Sequence, residues 1–336
     1  MRRDERILLA HGSGGRLTGE LVSGTFLPAL DNPHLRTLSD SAVLEELPAG
    51  RPALSTDGFV VDPPVFPGGD LGYLSVCGTV NDLAVAGARP LWLTWALILE
   101  EGLQGELLHQ VVDGAARAAA EAGVQIVAGD TKVVPRGEGG GLYLATTGVG
   151  LRPAGIDLGL HRVRPGDAIV VSGPIGDHGI AVLLAREEFE ISGDVRSDCG
   201  NVIDLAQGAL ALGGLRFMRD PTRAGLAGVA WEISRHAGVT VRLRETDVPV
   251  RESVQMVCEM LGYDPWYLAC EGRVVAVVAA DQAADLVTCW RQLPSGQGAA
   301  VIGAIEEGPP RIVLETAIAG QRLLNDLEED PLPRIC

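Results

Sequence analysis

The chain has no CxxC pair, no apolar run approaching the roughly 20 residues of a membrane span, and no signal-peptide core behind its opening Met-Arg-Arg-Asp-Glu-Arg. The expectation is a protein neither exported nor anchored by its own sequence. Positive charge is also short: 27 Lys and Arg stand against 44 Asp and Glu, for a net charge of −17. That balance argues against nucleic acid or an anionic membrane as the main partner, while leaving room for a local cationic pocket. The six cysteines (77, 199, 258, 270, 289 and 336) lie partly inside apolar runs. They read as reduced thiols of a cytoplasmic protein and not as a disulfide framework.

Core material, by contrast, is ample: 46% of the 336 residues are hydrophobic, enough for two domains. Strand and helix patterns alternate and divide near Leu151 to Pro165, where Arg152-Pro153 and Arg164-Pro165-Gly166-Asp167 punctuate the chain. This places a first domain over 1–155, a second over 156–325 and a tail over 326–336. In the first, Leu91 to Leu99 reads as a buried strand. Leu107, Val111, Ala115 and Ala118 recur at helical spacing up to Gly123, and 125–128 and 142–149 read as further strands. In the second, a strand-loop-helix unit starts at 168–171. A helix over 224–236 stops at Gly238, and strand 273–278, helix 281–293 and strand 299–305 follow. The fold class is α/β, mixed with α+β, and the strand order stays open.

The sequence closes on Pro333-Arg334-Ile335-Cys336, behind the acidic, twice proline-punctuated stem Glu328 to Pro333. Such a stem neither propagates a helix nor donates fully to a sheet, so an extended, mobile arm with few obligatory contacts is expected. Its thiol either reaches for a cleft or a partner, or sits on a frayed end. A carboxylate on the same residue raises the thiol pKa above the free value of about 8.5, so a useful Cys336 needs cations from the pocket that receives it.

Several loops carry polar chemistry. His11 to Arg16 is glycine-rich, and the bare N–H groups around Gly12, Gly14 and Gly15 could wrap a phosphate; a merely flexible run is the alternative. Asp57 in Ser55-Thr56-Asp57-Gly58 and Asp82 in Asn81-Asp82 are carboxylates among apolar neighbours. Magnesium would suit them, and so would a helix cap for Asp57 and a buried hydrogen bond for Asp82. Gly129-Asp130-Thr131-Lys132 closes an apolar strand, with Asp130 and Lys132 projecting the same way toward one polyphosphate or forming a surface turn. Asp220-Pro221-Thr222-Arg223 reads as a helix start capped by Asp220 or Thr222. His178 is a base or a structural histidine, and Glu271 in Cys270-Glu271-Gly272 is the better acid–base candidate.

Taken in order, HGSGG, STDGFVVDP, FPGGD, CGTVNDLAVAGA, VAGDTKVVPRG, GDHG, DPTRAG, CEG and PRIC resemble, end to end, the HypE family of hydrogenase maturation proteins, the carbamoyl dehydratases. In looser form these motifs belong to the wider PurM-like superfamily of aminoimidazole-ribonucleotide synthetase. The resemblance implies two α/β domains, the first binding ATP and pairing in a homodimer around a shared β-barrel. It also implies a reaction: Cys336 takes a carbamoyl group from a HypF-type carbamoyltransferase, and ATP dehydrates the S-carboxamide to a thiocyanate. The cyanide then passes to an iron-carrying complex of HypC–HypD type for nickel–iron hydrogenase assembly. By motif, Gly12, Gly14, Gly15, Asp57, Asn81, Asp82, Asp130 and Lys132 would bind ATP, and Asp57, Asp82 and Asp130 the Mg2+. Cys336, Lys132 and Glu271 would be catalytic. Two positions depart from the family pattern: Ala224 stands where glycine is expected, a change a helix would tolerate, and Cys270 where asparagine is expected beside Glu271. A selenophosphate synthetase-like phosphotransferase is one alternative, but it would carry an early reactive cysteine, and Met1 to Arg16 has none. A non-catalytic maturation scaffold is the other, and it would not need the Asp57, Asp82, Asp130 and Lys132 set.

Overall fold

The computed structural model describes residues 1–186, 194–329 and 331–336, so Asp330 of the tail stem lies outside the described residues. Short helices α1 (Arg16–Leu21) and α2 (Leu27–Leu30) precede strand β1 (Arg51–Phe59) and the small hairpin β2 (Val65–Phe66) and β3 (Gly69–Asp70). Helix α3 (Leu71–Val85), β4 (Arg89–Glu100), α4 (Gly105–Ala122), β5 (Gln125–Val134) and β6 (Leu142–Arg152) complete the first half. The second runs β7 (Ala168–Val171), α5 (Asp177–Ala185), α6 (Ile203–Leu210), β8 (Leu215–Arg219), α7 (Gly225–Ala237), β9 (Thr240–Arg244) and α8 (Glu252–Leu261). Then come β10 (Val275–Val278), α9 (Ala283–Arg291), β11 (Ala300–Glu306), β12 (Arg311–Glu315) and β13 (Gln321–Leu323).

The first half forms a four-stranded sheet in the order β1-β6-β4-β5, with β4 and β5 parallel and the other pairs antiparallel. Along β4 the pleat sorts side chains: Leu93, Trp95, Leu97 and Leu99 are buried while Thr94 and Ile98 face out. Helices α3 and α4 cover the inner face. The outer face stays open, with Leu54 71% and Ile98 45% exposed. Helix α3 starts where the Asp70 carboxylate accepts the Tyr73 N–H at 2.8 Å. All its residues but Tyr73 and Asp82 are buried. A Cβ on Gly72 would fall 1.8 Å from the Val111 carbonyl oxygen, so glycine is what lets α4 approach so closely.

The second half is a seven-stranded sheet in the order β13-β12-β9-β11-β7-β10-β8. Its central strands are buried on both sides: Ile169 and Val171 belong to a core under α7, Ala168 and Val170 to one under α6 and α9. An unbroken apolar run such as Ala276-Val277-Val278 follows from that double covering.

Two expectations are corrected here. Gly129 to Lys132 do not form a loop after a strand; they are the middle of β5. The arm does make specific contacts. Leu332 and Ile335 are each only 3% exposed and join the first core, a burial worth up to ~1.5–3 kcal/mol per side chain. Its main chain extends beside the segment after β1, where Val60 N–H donates to the Cys336 oxygen (3.3 Å) and Asp62 N–H to the Arg334 oxygen (3.2 Å). Arg186 donates to the Pro333 and Arg334 carbonyls at 2.6 and 3.0 Å. Proline blocks regular structure within the tail, but its carbonyls remain good acceptors. No helix of the described residues is long and apolar enough to cross a membrane.

Candidate active site

The two halves meet at a cavity of about 60 Å³ lined by β1, α3, the loops after β8 and before β10, and Cys336. β1 turns Ser55 and Asp57 inward onto α3. There Thr79 donates to Asp57 Oδ2 at 2.8 Å, and Ser55 donates to Asp82 Oδ2 at 2.6 Å. Asp57 is therefore neither a helix cap nor a surface residue. Burial first, and the charge of Asp82 second, raise its proton affinity, against the pull of the Thr79 hydrogen bond.

Asp220 lines the same cavity, and neither it nor Thr222 caps a helix. The N-cap of α7 is Ala224, which makes no side-chain cap hydrogen bond. Burial, then the negative charge of Asp82, pushes the Asp220 carboxyl up to about 7. Glu271 is 2% exposed, with its Oε1 unpartnered inside the protein. Burial first, then Asp220 and Asp198, lift its carboxyl well above the usual range.

Asn81, expected at the nucleotide, spends its amide on backbone hydrogen bonds to the second half. Its Nδ2 donates to the Gly200 and Glu271 carbonyls (3.0 and 3.3 Å), and its Oδ1 accepts the Val202 N–H (2.8 Å). The amide thus ties α3 to the loop carrying Glu271. Cys270 is buried, accepting from Gly176 N–H at 3.3 Å and donating to the Leu268 carbonyl at 3.6 Å. It meets its polar needs away from the Glu271 carboxyl. The cations expected around Cys336 are few: the described cavity lining sets Arg223 against Asp57, Asp82, Asp220 and Glu271.

The remaining expected residues lie elsewhere. Asp130 and Lys132 pair with each other at 2.9 Å and are 62% and 64% exposed. β1 and β5 are opposite edges of the sheet, three strand spacings or roughly 14 Å apart. Asp57 faces α3, whereas Asp130 shares the open outer face with Gly58, Ala145 and Ala96, which lie in register with it. The glycine loop belongs with this second group, because a Cβ on Gly12 would meet the Val133 nitrogen at 2.4 Å. Gly14 takes φ +81° and Gly15 precedes α1. Beside Asp130 and Thr131 opens a cavity of about 250 Å³ walled by Phe26, Leu30, Trp95 and Ile126.

A carboxylate such as Asp57, whose proton affinity a neighbouring carboxylate raises, suits a divalent cation, and Asp57 and Asp82 each have only one oxygen bonded to a side-chain hydroxyl. Among the described residues no three His, Cys, Asp or Glu could hold an ion by themselves. A metal here would complete its shell with phosphate oxygens and water.

Two families match this chain: AIR synthase related protein, N-terminal domain, over residues 38–152, and AIR synthase related protein, C-terminal domain, over residues 164–315. Fold and site thus define a two-domain protein of the AIR synthase-related, PurM-like class. The chain is 45% identical to carbamoyl dehydratase HypE of Rhodobacter capsulatus, over 99% of each chain. It is 47% identical to that of Cupriavidus necator, over 98% of this chain and 95% of the relative. A crystal structure of hydrogenase maturation protein HypE in complex with ATP matches with a TM-score of 0.93 at 44% identity, covering 98% of this chain and 99% of that one. A chain from a HypE–HypF complex matches at 0.80 and 41% identity, covering 91% and 99%. The chain belongs to the HypE family of hydrogenase maturation proteins.

Proposed function

We propose that this protein is an ATP-dependent carbamoyl dehydratase that converts an S-carboxamide on Cys336 into a thiocyanate, the cyanide source for a nickel–iron hydrogenase centre. The convergence of Cys336 with Glu271, Asp57, Asp82 and Asp220 on one cavity carries this assignment.

The γ-phosphoryl of ATP goes to the carboxamide oxygen, which leaves as phosphate, while the nitrogen gives up both protons and a C≡N bond remains on sulfur. Magnesium, held by Asp57 and Asp82 and, on a shared polyphosphate, by Asp130, would supply charge neutralisation at the phosphates. Lys132 adds positive charge there, and the cavity beside Asp130 suits the base. Gly12 packs against Val133 beside Lys132, and Gly14 and Gly15, two and three residues further along the same loop, would complete the phosphate-binding backbone. Glu271, whose raised proton affinity makes it the better base once ionised, accepts a proton from nitrogen. The docked tail excludes water meanwhile.

Because Asp130 and Lys132 are remote from Glu271 within one chain, pairing of two chains through the open outer face would bring the two sets of residues together. Carbamoylation is assigned to an undocked tail, presented to a HypF-type transferase, the kind of partner with which a relative forms a complex. Cyanide transfer to a HypC–HypD-type iron complex likewise needs the tail out, so the arm would have two states.

Mass spectrometry of the terminal peptide tests the assignment. Incubation with carbamoyl phosphate, ATP and the transferase should add a carbamoyl group to Cys336 and then remove one water. Cys336→Ala should fold and gain nothing, and modification at Cys199 or Cys270 instead would refute the proposal. Lys132→Ala and Glu271→Ala should accept the group yet lose water at least ~100-fold more slowly.

A further inference from the structure

The tail is anchored by its buried Leu332 and Ile335 side chains and by main-chain hydrogen bonds, one of which comes from a histidine that the chemistry above leaves unused. His178 is fully buried in the first turn of α5. Its Nε2 lies 2.7 Å from the Ile335 carbonyl oxygen and its Nδ1 2.8 Å from Ser197 Oγ. The Phe66 ring stands edge-on to it at 5.3 Å.

We propose that His178 is a positioning residue for the dehydration step, fixing through its hydrogen bond to Ile335 the backbone from which the Cys336 sulfur swings; this rests on the assignment of Cys336 as acceptor. A carbonyl oxygen only accepts, so Nε2 carries the proton and Nδ1 receives the Ser197 hydroxyl hydrogen. Ser197 is itself fixed: its Oγ accepts Cys199 N–H at 2.9 Å and its own N–H donates to the Pro67 carbonyl at 2.8 Å. The imidazole is therefore held neutral, in one tautomer and one orientation.

On the tail, the Ile335 carbonyl defines the plane of the peptide entering Cys336. The oxygen of Cys336 accepts Val60 N–H at 3.3 Å. With both flanks of the Cys336 α-carbon held, rotation about Cα–Cβ aims the sulfur into the cavity. The other end of α5 grips the same strand, since Arg186 binds the Pro333 and Arg334 carbonyls at 2.6 and 3.0 Å. Helix α5 is a cradle that reads tail backbone. Misplacement by about an ångström at a reacting centre is enough to lose on the order of 100-fold in rate.

Two variants separate positioning from packing. His178→Phe keeps ring volume and the Phe66 contact but removes the donor, while His178→Gln keeps an N–H donor at comparable reach. The first readout is iodoacetamide alkylation of Cys336 in the full chain without nucleotide, followed on the terminal peptide by mass spectrometry. We expect His178→Phe to be alkylated at least ~10-fold faster than wild type, and His178→Gln within about threefold of it, the scale of one buried hydrogen bond left unmade. The second readout is single-turnover water loss from carbamoylated Cys336 at saturating magnesium-ATP. His178→Phe should be ~10–100-fold slower, His178→Gln within about threefold, and carbamoylation of both undiminished. Wild-type rates for His178→Phe in both assays overturn the proposal, as does a His178→Gln that unfolds normally yet behaves like His178→Phe. If His178→Phe fails to fold, Ser197→Ala replaces it, with the same directions expected and wild-type behaviour again fatal. Should wild type itself lose no water, the reaction assignment falls, while the alkylation rates still decide whether His178 holds the tail.

Discussion

Lys132 is the chain's only lysine, its other 26 Lys or Arg residues all being arginine. Arginine would preserve the charge beside Asp130 but supplies a broad, planar, always-charged fork in place of a compact ammonium that can give up a proton. Lys132→Arg is therefore expected to slow water loss by ~10-fold or more while leaving carbamoylation intact. A wild-type rate in the mass-spectrometric assay would show that charge alone suffices. Asp220 makes a prediction about pH. Its folded pKa of about 7 lies above the unfolded value, so its contribution to stability is full below ~pH 4 and lost as pH rises toward 7. Asp220→Asn does not titrate. Its melting temperature should match wild type near pH 4 and exceed it increasingly up to pH 7–8, by the equivalent of ~1–3 kcal/mol. A pH-independent difference would place the titration elsewhere.

Among the elements, the turn entering α7 shows why a substitution must be judged in its backbone context. Ala224, expected to be tolerated within a helix, lies outside it at φ +58°, where a Cβ is strained and glycine is not. Ala224→Gly should stabilise the protein by ~1 kcal/mol, read as a rise in denaturation midpoint at unchanged slope. No rise would mean that the flexibility glycine adds to the unfolded chain cancels the relief of strain. The neighbouring Arg223 faces the cavity, so the turn also bears on site geometry.

At the scale of the whole molecule, the first sheet separates the expected site residues. Cys336, Glu271, Asp57 and Asp82 gather at the interdomain cavity, whereas Asp130 and Lys132 stand on the far edge strand and the open face. If two chains complete each other's sites, mixing Lys132→Ala with Glu271→Ala should restore activity that neither has alone. In heterodimers one of the two sites regains both groups, giving roughly a quarter of wild-type water loss after free subunit exchange. No recovery, with exchange confirmed by native mass spectrometry, would return Lys132 to the site of its own chain.

Local order was legible because it is encoded locally. The apolar run of β4, the apolar stripe of α4 with Gly123 behind it, and the short motifs bearing Asp57, Asp82, Glu271 and Cys336 are properties of contiguous residues. Helix α3 was not legible, since burial on nearly every side leaves no stripe for a period to show. Asp220 looks in sequence like any helix-start aspartate, and Asn81 like a ligand-binding one. Only the packing of α3 against the second half makes the first a cavity wall and the second a tie to Glu271. The sequence by itself determined several of the elements, the chemical inventory and the family resemblance. Tertiary structure decided which groups share a site, because strand order and interdomain packing depend on contacts between residues far apart in the chain, which no local pattern records.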